Sequence, residues 1–171
     1  MKVNMKSCPV LNTRRLILRP YTLSDAGDVQ RLAGDRRIAD TTQNVPHPYA
    51  NGAAERWISG HAAEFAAGSS VTFAIVLQAT SELIGTIGLR INRAYDHAEL
   101  GYWIGCHFWG QGYCTEAGQV VLEYAFTEQG LNRIYSSHFG RNPASGRVME
   151  KLGMLREGML RQHVKKWGQY E

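Results

Sequence analysis

The sequence predicts a single mixed α/β domain, and three observations predict it. Two runs rich in β-branched residues, Val71 to Leu77 and Leu83 to Ile91, are followed by a third apolar run, Glu99 to Ile104. Segments with helical apolar spacing lie before and after this cluster, so helices can cover both faces of a sheet. A glycine turn, Trp109-Gly110-Gln111-Gly112, leads from the third run into a helix, and that helix returns to another strand. The 171 residues, 44% hydrophobic and 20% charged, suffice for one ordinary core. No repeat or linker divides them, so residues 1–171 read as one domain.

In chain order, Arg15 to Arg19 alternates charged and apolar residues and reads as a first strand stopped by Pro20. Ser24 is an N-cap candidate for a helix through Leu32, with Asp25 in its first turn. Asp40 to Tyr49, with Pro46 and Pro48, reads as an irregular loop before a second helix from Gly52 to Ala67. The next two strands are joined by the polar turn Ala79-Thr80-Ser81, and Glu99 to Ile104 is the fourth strand. From Thr115 to Gln129 a helix places Ala117, Val121, Tyr124 and Ala125 on one face and ends at Gly130. Ile134 to Phe139 then returns as a fifth strand, parallel to the fourth through a right-handed crossover. Asn142, Pro143 and Gly153 mark the N-cap, first residue and C′ position of a last helix, and Leu155 to Trp167 reads as a long terminal strand.

Composition excludes several classes. No stretch approaches the ~18–20 apolar residues of a membrane span, and the N-terminus has no secretory apolar region. Cys8, Cys106 and Cys114 are odd in number and lack metal-ligand spacing, which fits a reducing cytoplasm and no metal site. The net charge of +4 is spread over small clusters (Arg14-Arg15, Arg36-Arg37, Lys165-Lys166) that read as solvated faces, not as a nucleic-acid stripe.

The glycine turn carries the chemistry. Two glycines one residue apart at a helix start let the backbone bend tightly and leave amide N–H groups unpaired. With the positive end of the helix dipole behind them, those groups seat a phosphate or pyrophosphate. A dinucleotide fingerprint would need glycine or alanine where Thr115 stands, and a P-loop would need Gly-Lys-Ser/Thr where Gly112-Tyr113-Cys114 stands. Cys114 beside the turn reads as a passive small residue, because no base partner accompanies it.

Nearly the whole chain resembles the RimJ/RimL-type branch of the GNAT superfamily of N-acetyltransferases. The resemblance is carried by Thr13 to Pro20, Glu55-Arg56-Trp57-Ile58, Ala98 to Ile104, Trp109 to Tyr113 and Thr115-Glu116-Ala117. It continues through Leu131-Asn132-Arg133-Ile134, Asn142 to Ser145, and Glu150 to Met154 with Glu157-Gly158. It implies a twisted sheet splayed between its fourth and fifth strands, and acetyl-CoA as co-substrate with its pantetheine arm in the gap. The phosphates would then lie on Gly110, Gln111, Gly112, Tyr113, Cys114 and Thr115, main-chain groups of Trp103 and Ile104 beside the thioester, and Asn142 and Ser145 along the arm. The implied function is acetyl transfer to a primary amine, a protein or peptide N-terminus in this branch. A small-molecule amine acceptor or a non-catalytic CoA-binding module are the alternatives.

The same resemblance gives roles to side chains. Many relatives use a tyrosine seven residues after the helix asparagine as the acid, but that position is Met149, which has no proton to give. The branch instead uses a serine three residues after the asparagine, here Ser145. Glu99 is the candidate general base, with a structural ion pair to Arg90 as the competing reading and His97, His138 or His163 as substitutes. His47 belongs to the acceptor side, whose surface would come from residues 40–50 and 155–167. Arg141, Arg147 and Lys151 are candidates for the nucleotide phosphates. The resemblance also implies one more strand after Gln169-Tyr170-Glu171, so the domain is expected to lack its last strand. The edge at 155–167 would then be left by a truncated chain or covered by a second subunit in a homodimer.

Overall fold

In the computed structural model, which describes residues 7–171 and so leaves the first six residues of the expected domain outside the described residues, six strands form one mixed sheet in sequential order. They are β1 (Leu11–Asn12), β2 (Leu16–Arg19), β3 (Ser70–Leu77), β4 (Leu83–Asn92), β5 (His97–Ile104) and β6 (Arg133–Tyr135). All neighbours are antiparallel except β5 and β6, which are parallel because a helix intervenes. The strand expected fourth is therefore β5, displaced by the two-residue β1 that precedes the predicted first strand.

Alternation in the strands divides the core between two helical layers. Leu16, Leu18, Phe73, Ile75, Ile87, Leu89 and Leu100 face α4 (Tyr113–Thr127), meeting its predicted stripe of Ala117, Val121, Tyr124 and Ala125, all buried. Ala74, Val76 and Leu83 lie in the opposite layer with α1 (Ala26–Ala33) and α3 (Ala53–Ala66). The last helix, α5 (Pro143–Lys151), packs on α4. Among the described residues, no helix is long and apolar enough to cross a membrane.

Four expectations are corrected. The cap of the first helical segment is Thr22, not Ser24. Asp25, three residues on, accepts the Thr22 amide at 2.8 Å, and a 3-10 turn over Leu23–Asp25 precedes α1. The predicted loop from Asp40 begins inside a helix, α2 (Arg36–Thr41), because Asp35 caps it by accepting the Arg37 amide. The strand expected over Ile134 to Phe139 pairs only at Arg133–Tyr135, after which its backbone leaves β5. The long strand expected over Leu155 to Trp167 is absent. A strand needs a partner along its length, and three-residue β6 offers none, so residues 155–163 run exposed with Leu155 89% accessible. Only β7 (Lys165–Lys166) and β8 (Gln169–Tyr170) form there, as a separate hairpin. Its two-residue loop, Trp167-Gly168, takes positive φ at both positions, the geometry tight hairpins require.

Candidate active site

The gap between β5 and β6 organises the site. β6 pairs with β5 only from His97↔Arg133 to Glu99↔Tyr135, and the last link is the Ser136 hydroxyl donating to the Leu100 carbonyl at 2.8 Å. From there to Ile104, β5 has a free edge inside the domain. The Gly105 amide bonds the Ile84 carbonyl at 2.8 Å, which fixes the alternation of the β4–β5 ladder. Trp103 therefore turns its main-chain groups toward β4, while Tyr102 and Ile104 turn theirs into the gap. Of the two residues expected to offer backbone there, Ile104 does so; Tyr102 replaces Trp103, because only every second residue of a strand faces a given neighbour. The Ile104 carbonyl is already taken by the Trp109 indole N–H at 2.6 Å, which leaves its amide as the open donor.

At the open end of this edge, a 3-10 turn at Cys106–Phe108 leads into the glycine turn. Gly110 and Gly112 have φ of 75° and 81°, and Gly112 is the N-cap of α4. The first intrahelical bond is Glu116 N–H to the Gly112 carbonyl at 3.0 Å, so the amides of Tyr113, Cys114 and Thr115 have no partner within the helix. A groove of about 480 Å³ adjoins the turn, lined by Thr13, Arg14, Thr115, Glu116, Gln119 and Lys151 among others. Lys151 stays beside it as a phosphate candidate. Arg141 does not serve there: it is held by Asp40 at 2.9 Å and Glu171 at 2.5 Å. The Cys114 thiol is pushed up to about 12 by burial, which keeps it protonated.

Across the gap, Asn142 caps α5 by accepting the Ser145 amide at 3.4 Å. The Ser145 hydroxyl lies 2.9 Å from the Tyr102 phenol oxygen, and that phenol is 3.0 Å from the Ser145 carbonyl. Tyr102 thus reaches from β5 to α5 and ties the two walls together. Burial raises its pKa well above the ordinary tyrosine value, although the Ser145 contact partly opposes the shift, so the phenol keeps its proton. Sequence reasoning missed Tyr102. Its strand parity puts it on the α4 face with buried Leu100 and Ile104, the one signal that could have drawn attention to a hydroxyl there.

Glu99 lies on the other face of the sheet, the α3 side, with Gly101 and Trp103. Its carboxylate is 3.5 Å from Arg90, its cross-strand partner, so the competing ion pair is present. The surrounding groove, about 490 Å³, is lined by Arg90, Arg93, His97, Glu99 and Tyr135 among others. His97 contributes its ring to a T-shaped contact with Tyr135 at 5.5 Å. His138 is on the α5 side, its Nδ1 2.9 Å from the Phe139 carbonyl. His163 belongs to the exposed terminal segment, where its amide bonds the Glu171 carbonyl. His47 stacks near Trp167 at 6.3 Å, and the Lys166 ammonium donates to the Val45 carbonyl at 3.1 Å. The 40–50 loop and the terminal hairpin therefore meet.

The acetyltransferase (GNAT) domain profile matches residues 15–155. The chain is 32% identical over 161 residues to the uncharacterized N-acetyltransferase p20 of Bacillus licheniformis, covering 92% of this chain and 89% of the relative. It is 30% identical over 105 residues to the [ribosomal protein uS5]-alanine N-acetyltransferase of Escherichia coli, covering 60% and 54%. The structure of RimL, a ribosomal L7/L12 alpha-N-protein acetyltransferase in complex with coenzyme A, superposes with a TM-score of 0.87 at 19% identity, covering 95% of this chain and 93% of that one. The chain belongs to the GNAT family of N-acetyltransferases.

Proposed function

We propose that this enzyme transfers the acetyl group of acetyl-CoA to the α-amine of a protein or peptide N-terminus. The observation that carries the reading is the Ser145 hydroxyl, held by Tyr102 at 2.9 Å across a gap that opens toward an unpaired helix N-terminus. The free edge of β5 can pair with an amide-bearing arm, and the amides of Tyr113 to Thr115 can take a pyrophosphate. The co-substrate supplies the activated acyl group. The Ile104 amide faces the oxyanion that develops as the amine adds, a donor worth about 3–4 kcal/mol in comparable sites. Ser145 gives its proton toward the departing sulfur, and Glu99 takes the amine proton through water from the α3 face.

The acceptor class follows from charge and basicity. An α-amine with pKa ~7.7–8.0 is about 10–15% neutral at pH 7, whereas a lysine or polyamine amine near ~10.4 is under ~0.1% neutral. A carboxylate already paired with Arg90 suits the easier substrate. The groove around Glu99 also carries Arg90 and Arg93, which disfavour a polycation. The deciding experiment measures thiol release from acetyl-CoA with peptides bearing free N-termini, N-blocked lysine peptides, spermidine and aminoglycosides. Turnover confined to free N-termini is expected. Preference for spermidine or an aminoglycoside would overturn the acceptor, and CoA binding without turnover on any amine would identify a binding module.

A further inference from the structure

Arg15 and Glu116 are 101 residues apart in sequence and meet at the base of the glycine turn. The Arg15 Nε donates to Glu116 Oε2 at 2.7 Å, while the Arg15 main-chain amide donates to Oε1 at 2.9 Å. The Thr13 hydroxyl donates to the same Oε1 at 2.6 Å. A second guanidinium nitrogen donates to the Gln111 carbonyl at 3.1 Å, and the guanidinium lies 4.4 Å from the centre of the Tyr113 ring. Both side chains are largely covered, Glu116 to 17% exposure and Arg15 to 35%. Arg15 is thus not the solvated charge its sequence suggests; its neighbour Arg14 lines the groove instead.

We propose that Arg15 and Glu116 are positioning residues for the phosphate seat, clamping the glycine turn to the start of β2 so that its amides are aimed before the co-substrate arrives. The inference rests on the acetyl-CoA reading above. In a trans peptide the C=O of one residue and the N–H of the next point in opposite directions. Arg15 holds the Gln111 carbonyl toward β2, and so directs the Gly112 amide away from the strand. Gly110 and Gly112 would otherwise leave the turn the freest backbone in the site, and a seat that must be ordered on binding loses affinity to the entropy of ordering. The clamp also accounts for a carboxylate in the first turn of an anion-binding helix. Glu116 is turned toward Thr13 and Arg15, and its charge is matched before it can compete with phosphate for the helix terminus. Burial would raise its pKa, but the hydrogen bonds from Thr13 and Arg15 outweigh that and keep the carboxyl ionised.

The test separates aim from charge. Glu116→Ala makes the region more positive, so electrostatics alone would tighten CoA binding; loss of the clamp should weaken it about tenfold by calorimetry. The preference for acetyl-CoA over S-acetyl-pantetheine, read as a ratio of kcat/KM values, should shrink by a similar factor, since the shorter donor has no pyrophosphate. Arg15→Lys keeps the charge but cannot bond Glu116 and Gln111 together, and should give the same result if Glu116→Ala does not fold. Unchanged or tighter CoA binding, or an equal loss with both donors, overturns the clamp. Failure of the wild-type protein to bind CoA overturns the underlying reading instead.

Discussion

At the scale of the residue, Tyr102 and Ser145 form a unit with one ambiguity that chemistry resolves. Tyr102 has a single hydroxyl proton and two acceptors within 3.0 Å, the Ser145 carbonyl and hydroxyl oxygens. In the proposed transfer, the phenol donates to the hydroxyl oxygen and leaves the serine proton free to turn toward the departing sulfur. Serine alone is a poor acid, so the phenol behind it would make that orientation productive. Ser145→Ala should lower kcat by at least about tenfold with little change in KM for acetyl-CoA, since general acids contribute ~10²–10⁴. Tyr102→Phe should lower kcat about tenfold in the wild-type background but less than about twofold on top of Ser145→Ala, because the two act together. Additive losses would mean that Tyr102 acts only on packing. For Glu99→Gln, the pH–rate profile is the informative measurement. Loss of its acidic limb supports proton removal, whereas a uniform drop at every pH assigns Glu99 to the Arg90 pair alone.

At the scale of the element, the glycine turn tests what its residues are for. A Cβ at Gly110 would meet nothing within 4 Å, and one at Gly112 would lie 3.6 Å from an Arg15 nitrogen, an ordinary contact. Space is therefore not the constraint; the positive φ is. Gly112→Val forces a β-branched residue into the left-handed region, at a cost of about 1–3 kcal/mol, and the turn should relax away from that geometry. CoA binding should fall at least tenfold while Tm drops by only a few degrees, as judged by calorimetry and thermal unfolding. Unchanged affinity would remove the turn from the site. This element was legible because its signals are local: glycines at a helix start, Asn142-Pro143 opening α5, Gly153 closing it. Tyr102 against Ser145 and Arg15 against Glu116 were not, because residues 43 and 101 positions apart leave no mark on local periodicity. The 155–167 segment misled for the same reason, since its strand character depended on a neighbour that β6 does not supply.

At the scale of the whole molecule, the sheet separates one helical layer, α4 and α5, from another, α1 and α3. The seam of the α1–α3 layer contains a weak point. His61 of α3 packs edge-on to Trp57 at 4.5 Å and against Tyr21 at 5.6 Å, and neither ring nitrogen has a hydrogen-bond partner among the described residues. Tyr21 anchors the seam to β4, its hydroxyl bonding Thr86 at 2.5 Å and the Gly85 carbonyl at 3.2 Å. Burial lowers the His61 pKa, and nearby Glu64 only partly offsets this. In the unfolded chain the imidazole protonates near ~6.5, whereas in the folded protein it stays neutral to lower pH. The unfolded state therefore binds the extra proton first, and stability is lost as pH falls below that point toward the folded pKa. His61→Phe keeps the ring and removes the titration. Relative to wild type, its Tm should rise progressively between pH 8 and pH 5. A Tm difference that stays constant across that range would place the acid sensitivity of the fold elsewhere.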